Sequence, residues 1–330
     1  MTLPEDRAVG ALWAFRFEAG RGVFVADQAQ RDCLTPPEGG FSWMHFPLSD
    51  QRARLFLERF DLIPAAAKTM LLGAEHRLQL HAAEGWVYGV LADLERDFEG
   101  KAVDIGRLYF AMNPSFMVTV RRHALQGADE VRRMIENGVQ AATSPDLFVM
   151  LVEHFIDMNE ARQQELTLEI DSLEDRVLGF QGDPSRWHVG PIRRELSRQH
   201  REFLALRGAF QRGLFHRGQS QHHLVSDRLP ALIAQIEDFD RDAADLLERA
   251  RLLHEEIGEQ VSATTNRNLR VLTILSTLML PPTLIVGAFG MNVEGIPWAH
   301  DVWGFAEACG LCIGVVVAAW LGLKIFNILR

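Results

Sequence analysis

Eight positions near the C-terminus place hydroxyl, amide, leucine and glycine groups on one side of an otherwise apolar stretch. They lie three or four residues apart and therefore share a helix face; they are Asn266, Leu269, Thr273, Ser276, Leu280, Thr283, Gly287 and Gly290. The face contains no carboxylate, imidazole or thiol. It cannot chelate a metal ion tightly, but it can pass a cation that keeps most of its water, which suits Mg²⁺ because Mg²⁺ dehydrates reluctantly.

A second group of polar residues follows where this face ends. Gly290, Met291 and Asn292 are consecutive, and Glu294 and Asp301 lie in the next ten residues. The Asn292 carboxamide offers an oxygen to a hydrated cation, and the two carboxylates add negative potential that concentrates cations. The alternative for Asn292 is a helix C-cap, because Asn often ends helices. Met291 fits a packing role better than a metal-ligating one.

Two apolar segments hold these residues. Val271–Gly290 has no ionisable side chain, and Phe305–Leu329 is interrupted only by Glu307 and Lys324. A helix of 20 residues spans about 30 Å, the thickness of a hydrocarbon core. The sequence therefore predicts two membrane-spanning helices. In the second, small residues recur every four positions, which favours close helix packing in lipid; they are Ala306, Gly310, Gly314, Ala318 and Gly322.

The basic residues predict how the two spans are oriented. Arg267 and Arg270 precede the first span, and Lys324 and Arg330 lie at the end of the second, whereas the loop at 291–304 contains no Lys or Arg. By the positive-inside rule both termini are cytoplasmic and the loop faces outward. The N-terminus lacks the pattern of a signal peptide, which fits a domain that is never exported.

The remainder of the chain has the composition of a globular protein. The 330 residues carry a net charge of −10, and 24% of them are charged. Residues 11–123 predict a mixed α/β domain from six β-prone runs, namely Leu12–Val25, Phe41–Phe46, His76–His81, Trp86–Leu91, Leu108–Met112 and Phe116–Val120. Helices are predicted at Asp50–Phe60, Pro64–Leu72 and Ala128–Val139. No catalytic motif is visible, so we do not expect an enzyme.

From residue 144 the pattern becomes helical. Ser144 is the predicted N-cap of a helix that continues to about Phe180, with Pro145 at its first position. A second helix is predicted at Pro191–Phe215 and a third at Leu229–Phe289. The last is about 60 residues long, so it would leave the membrane and continue deep into the cytoplasm.

The third helix carries a heptad-like apolar seam, formed by Leu229, Leu232, Ile236, Phe239, Ala243, Leu246, Ala250, Leu253 and Ile257. A helix of this length cannot bury such a seam alone, which predicts self-association into a bundle. The preceding basic stretch, Arg186–Arg217, could indicate nucleic-acid binding. The acidic stretch Gln235–Gln260 favours a simpler explanation, two neighbouring helices of opposite charge, and we expect no nucleic-acid partner.

The Gly-Met-Asn tripeptide at the end of the first of two C-terminal spans resembles the CorA family of divalent-cation transporters. The resemblance covers the whole architecture, and within the helix it includes Asn266, Leu272-Thr273, Pro281 and Thr283. Gly295-Ile296-Pro297 resembles the zinc-transporting ZntB branch. Glu294, by contrast, resembles the acidic loops of magnesium members.

The resemblance implies a fold and an assembly. The fold is an α+β cytoplasmic domain, a long stalk helix and two C-terminal transmembrane helices, in a funnel-shaped homopentamer of the inner membrane. The first span would line a central pore, in which Leu269, Leu272 and Leu280 serve as hydrophobic constrictions. The predicted divisions are an α/β domain at 1–143, a helical region with the stalk at 144–268, a pore-lining span at 269–290, an outward loop at 291–304 and a second span at 305–329.

Three functions compete at this point. The first is transport of divalent cations, with Zn²⁺ preferred and possible proton coupling implied by the ZntB branch, or else Mg²⁺ or Co²⁺ as in CorA; no other cofactor is expected. The pore wall gives no positive reason for zinc, because Zn²⁺ prefers imidazole and thiolate ligands. The second is a two-span receptor that signals through a coiled-coil stalk. The third is a membrane-tethered enzyme, for which the sequence offers no catalytic residues.

Overall fold

The computed structural model describes residues 9–96, 102–179, 187–215, 228–291, 297–298 and 302–325. The chain divides into two compact units. One comprises Met1–Leu173 with Val189–Arg251, and the other comprises Glu174–His188 with Leu252–Arg330. The first unit holds the sheet and most of the soluble helices, and the second holds the apolar helices.

A seven-stranded mixed sheet forms the centre of the first unit, in the order β2-β1-β3-β7-β6-β5-β4. All neighbouring strands are antiparallel except β3 and β7, which are parallel. The strands are β1 (Trp13–Glu18), β2 (Arg21–Phe24), β3 (Phe41–Pro47), β4 (Gln79–Ala83), β5 (Trp86–Arg96), β6 (Ala102–Met112) and β7 (Phe116–Arg121). The predicted mixed sheet is confirmed.

Two-residue turns set the register of two hairpins. The predicted single run at 12–25 is divided into β1 and β2 by Ala19 and Gly20, which both have positive φ (45° and 81°). Glu84 and Gly85 join β4 to β5 in the same way, with φ of 54° and 75°. Turns with positive φ at both positions match the twist of paired strands, so these pairs fix which residues face each other.

Helices cover both faces of the sheet. On one face, Met44 and Phe46 of β3 pack with residues of α1 (Gln51–Arg59) and α2 (Ala65–Leu72), including Phe56. A short 3₁₀ helix at Asp27–Leu34, which the sequence analysis did not predict, adds to this layer. The other face carries the larger core, which is built by Trp43 and Phe110 of the sheet together with side chains of four later helices.

Those four helices are α3 (Gln126–Glu136), α4 (Ser144–Leu178), α5 (Gly190–Phe215) and α6 (Leu229–Phe289). A buried carboxylate holds the start of α3: Asp93 Oδ1 accepts from Gly127 N at 2.8 Å, and Oδ2 accepts from Ala128 N at 2.9 Å. Burial raises the pKa of the Asp93 carboxyl to about 6, although these hydrogen bonds act in the opposite direction.

The N-cap predicted at Ser144 was wrong by one residue. Thr143 and Asp146 form the capping box instead: Asp146 N donates to Thr143 Oγ1 at 3.3 Å, and Thr143 N donates to Asp146 Oδ2 at 3.1 Å. The Ser144 hydroxyl donates to the Asn113 carbonyl. Thr143 can cap because it precedes the helix, whereas Ser144 is buried and ties the helix to the β6–β7 turn.

The apolar seam of α6 is covered by the chain's own helices. Phe239 stacks on Phe203 of α5 with ring centroids 4.0 Å apart, and Ala243 and Ala250 are fully buried. Further along, Gln260 Nε2 donates to the Val177 carbonyl of α4 at 3.0 Å. The inference from this seam to self-association was therefore wrong, because α4 and α5 supply the partners that we assigned to other copies.

Opposite charges join α5 to α6, as the sequence analysis predicted. Asp240, which is 6% exposed, lies 2.9 Å from His200 Nδ1 and 3.1 Å from Arg207 Nη1. Elsewhere on α6, Arg249 pairs with Asp171 of α4 at 2.6 Å. The acidic helix therefore balances part of the positive charge of the basic stretch.

Within the described residues, two helices have stretches that are long and apolar enough to span a membrane, and both stretches lie in the second unit. They are the C-terminal part of α6 and α7 (Gly304–Ile325). In their most apolar windows, 0% of residues in α6 and 6% in α7 are buried within the chain. Helices this apolar and this uncovered are membrane-spanning, since water cannot solvate such a surface.

Candidate ion-conduction face

The predicted pore-lining residues all lie on the uncovered side of α6. Leu269, Leu272 and Leu280 are 54%, 60% and 67% exposed. The polar and small members of the set are likewise exposed, namely Asn266, Thr273, Ser276, Thr283, Gly287 and Gly290. Among the described residues none covers this face, which is therefore open to water, lipid or further copies of the chain.

A different side of the same helix is partly covered. The half-buried positions recur three or four residues apart and are Ile274, Leu278, Pro281, Pro282, Ile285 and Phe289. At about 100° per residue, the mean direction of this set is nearly opposite to that of the predicted pore face. Phe289 stacks on Trp298 at 6.3 Å, near the start of α7. We infer that α7 takes the covered side, which leaves the polar side for another partner.

Two threonines on the uncovered face donate their hydroxyl hydrogens to the helix backbone. Thr273 Oγ1 donates to the Leu269 carbonyl at 2.8 Å, and Thr283 Oγ1 donates to the Met279 carbonyl at 2.7 Å. Each hydroxyl therefore presents lone pairs outward as an acceptor. The water molecules around a cation point their hydrogens outward, so an acceptor of this kind matches a hydrated cation. The sequence indicates the hydroxyls but not their direction.

The polar face ends where α6 ends. Gly290 N donates to the Val286 carbonyl at 2.9 Å, and Met291 N donates to the Ala288 carbonyl at 3.3 Å. Met291 is 56% exposed. Asn292, Glu294 and Asp301 lie outside the described residues, and their role at the outer mouth stays a prediction.

The small-residue stripe of α7 is also open. A Cβ added at Gly310, Gly314 or Gly322 would meet no atom within 4 Å. Ala306 and Ala318 are exposed as well. This stripe is a second surface on which another helix could pack closely, and it competes with the α6 face as a centre of assembly.

Comparison with known proteins identifies the class. The family described as CorA-like Mg²⁺ transporter protein matches residues 38–324. This covers most of the chain, and the chain therefore belongs to that family of divalent-cation transporters.

Individual relatives agree with the family match. The zinc transport protein ZntB of Photorhabdus laumondii subsp. laumondii is 26% identical over 321 residues, covering 94% of each chain. The full-length CmaX protein has a similar fold, with a TM-score of 0.78 and 19% identity over 97% of this chain and 99% of that one. The CorA magnesium transporter of Methanocaldococcus jannaschii also has a similar fold, with a TM-score of 0.64 and 13% identity over 94% of this chain and 96% of that one.

Proposed function

We propose that the chain is a zinc transporter of the inner membrane and acts as a homopentamer. Five copies of α6 would surround a central pore, and α7 would lie outside them. The observation that carries this proposal is the polar, uncovered face of α6, which lies nearly opposite to its partly covered side. A lone helix exposes such a face to lipid, where its hydroxyl and amide groups are unfavourable; in a ring of copies the face would meet water.

The pore wall would bind a cation through its water shell. Thr273 and Thr283 offer acceptor oxygens at two levels, and Asn266 adds a carboxamide near the N-terminal end of the span. Leu269, Leu272 and Leu280 would form apolar constrictions between and beside these levels, and such constrictions can close by dewetting. Ser276 and Gly287 are small residues, so they would not narrow the pore at the remaining positions of the wall.

The outer mouth would be the ring formed by Gly290, Met291 and Asn292. Asn292 would offer oxygens to the arriving hydrated cation, with Glu294 and Asp301 as the source of negative potential. This arrangement places both termini in the cytoplasm, as the positive-inside rule predicts. It requires no cofactor, because the transported cation is the only ligand.

Zinc is the first substrate that we propose, because relatives such as the Photorhabdus protein are named zinc transporters and because Gly295-Ile296-Pro297 resembles that branch. Magnesium is the second. A specific observation favours it: the exposed face of α6 lacks the imidazole and thiolate groups that Zn²⁺ prefers, and its acceptors suit a cation that keeps its water.

Flux into sealed vesicles tests this proposal. The purified full chain would be reconstituted in liposomes loaded with a metal-sensitive dye, and Zn²⁺ and Mg²⁺ would be added separately and together, with and without a pH gradient. We expect saturable Zn²⁺ entry that Mg²⁺ inhibits weakly. Entry of Mg²⁺ alone would assign the chain to the magnesium type, and no flux of either ion would contradict transport.

Asn292→Ala should abolish uptake without changing assembly. The oligomer mass of both proteins would be measured by light scattering in detergent, with five copies expected. Asn292→Gln is the matched control, because it keeps the carboxamide and should retain part of the flux. Wild-type flux from Asn292→Ala would refute the role of Asn292 at the outer mouth. A monomer would refute the α6-lined pore, and so would an oligomer whose copies are cross-linked through cysteines introduced on α7 by Gly310→Cys or Gly314→Cys.

A further inference from the structure

A cavity in the first unit is lined by residues of the sheet and of three helices. Its volume is about 280 Å³, near the lower end of the roughly 300–1,000 Å³ of ligand pockets. Apolar side chains of β5, β6 and α4 form part of the wall, namely Leu94, Ile105, Met158 and Ala161. The rest of the wall is polar and comes from α3, α4 and α5.

The polar side of this cavity contains a buried carboxamide without a partner. Gln199 of α5 is 1% exposed, and within the described part of the chain neither its Nε2 nor its Oε1 forms a hydrogen bond. The Oε1 atom of Gln126, at the start of α3, is also buried and accepts no hydrogen bond from the described residues. Each unpaired buried polar group costs about 1–3 kcal/mol, so a ligand that forms hydrogen bonds with these side chains would be stabilised by them.

Rotation of the terminal torsions of Gln199 would turn its amide into the adjoining cavity. There it could donate and accept at once, which matches a ligand with a donor and an acceptor side by side. An adenine edge has this arrangement, and glutamine binds it bidentately. The apolar side chains of the opposite wall suit the face of a planar base.

Charge at the cavity indicates the rest of the ligand. Arg162 lines the cavity, is 43% exposed, and pairs with Glu165 through Nη1 at 2.6 Å. A guanidinium has five N–H donors, so this ion pair leaves donors for a phosphate. Arg198 and Glu195, also in the wall, pair at 2.9 Å and nearly cancel each other's charge. Arg162 is likewise paired with Glu165, so what it offers a phosphate at the exposed edge is its remaining N–H donors rather than an unbalanced charge.

We propose that this cavity binds a nucleoside monophosphate of the adenine type, with the base against the apolar wall and Gln199, and the phosphate at Arg162. A cavity of this volume is too small to enclose a dinucleotide. The cavity shares no residue with the proposed pore. A failure to bind the nucleotide would therefore not contradict transport, and a failure to transport would not contradict nucleotide binding.

Calorimetric titration of the full chain in detergent tests the site, with AMP, adenosine and inorganic phosphate as probes. We expect saturable AMP binding, weaker adenosine binding by about tenfold, and no measurable phosphate binding. Gln199→Met should weaken AMP and adenosine by tenfold or more. It should not lower the thermal unfolding midpoint, because methionine removes two unpaired polar atoms while filling the same space.

Two further variants separate binding from folding. Arg162→Gln changes an exposed side chain and should weaken AMP about tenfold while leaving adenosine unchanged. Gln163→Met is the matched control, since Gln163 is also buried on α4 but does not line the cavity; its AMP affinity should equal that of the wild type. Absence of AMP binding by the wild-type chain, as expected if the cavity holds only water, would overturn the proposal, and so would unchanged AMP affinity in both Gln199→Met and Arg162→Gln.

Discussion

The two halves of helix α6 carry similar apolar residues in different surroundings. In the N-terminal half, Ile236 and Phe239 are buried against helices of the same chain. In the C-terminal half, Leu280 and Leu284 are 67% and 71% exposed. The apolar repeat of the first half is therefore satisfied within one chain and says nothing about assembly. The second half must be covered by lipid or by other copies, and the evidence for a pore rests there.

The largest expected effect tests whether the N-terminal half is covered by its own chain. Phe239→Ala removes a ring stacked on Phe203 and should lower the free energy of unfolding by about 3–5 kcal/mol. Leu284→Ala is the matched change in the exposed half and should cost less than about 1 kcal/mol. Denaturant unfolding of both variants in detergent measures this. Equal losses would contradict the contrast between the two halves.

A smaller effect concerns the buried carboxyl group of Asp93 in the first unit. The pKa of Asp93 in the fold is about 6, above the value of about 3.9 in an unfolded chain. The fold therefore binds the proton more tightly between these values, and its stability falls as the pH rises from about 4 to 6, by roughly 2–3 kcal/mol.

Asp93→Asn should remove this contribution. Unfolding curves recorded every half pH unit for both proteins would show it as a difference that flattens above pH 6. A difference that is constant across the window would show that folding does not raise the pKa of Asp93.

In the exposed half, the acceptor oxygens of the threonines can be tested singly. Thr283→Val keeps the shape but removes the oxygen, and we expect cation flux to fall about tenfold, equivalent to about 1.4 kcal/mol, the order of one hydrogen bond. Thr283→Ser keeps the hydroxyl and should stay within about twofold of the wild type. Full flux from Thr283→Val would place this face away from the pore.

The smallest expected effect is electrostatic. Glu294→Gln should reduce uptake about two- to threefold at 10 mM salt and hardly at all at 1 M, because the screening length falls from about 30 Å to about 3 Å. Glu84→Gln, in the exposed turn between β4 and β5, is the control and should leave uptake unchanged at both concentrations. A reduction that does not depend on salt would indicate a contact rather than a long-range potential.

The sequence predicted the bounds of the helices more accurately than the bounds and pairing of the strands. The predicted Pro191–Phe215 became Gly190–Phe215, because apolar periodicity and terminal residues define a helix locally. Strands β5 and β6 extend beyond the predicted runs to Arg96 and Ala102, because these more charged ends are held as strands by pairing with each other. The parallel pairing of β3 with β7 joins residues about 75 apart in the chain, which no local pattern reveals.

In the candidate site, too, the sequence predicted some features and not others. Helical spacing was enough to place Thr273 and Thr283 on one face, and the structure leaves both exposed. It did not show the direction of their hydroxyls, which depends on a backbone carbonyl four residues earlier. Nor could it show that the α6 seam has partners in its own chain, because apolar spacing does not say which surface covers it.

The paired prolines of α6 have a mechanical consequence. Pro281 and Pro282 lack the N–H groups that would bind the Thr277 and Leu278 carbonyls. Bending the span at this level strains two fewer backbone hydrogen bonds than elsewhere, so we expect this to be the most compliant turn of the membrane part of α6. If the helix flexes when ions pass, the turn just after Leu280 is where we expect the movement to begin.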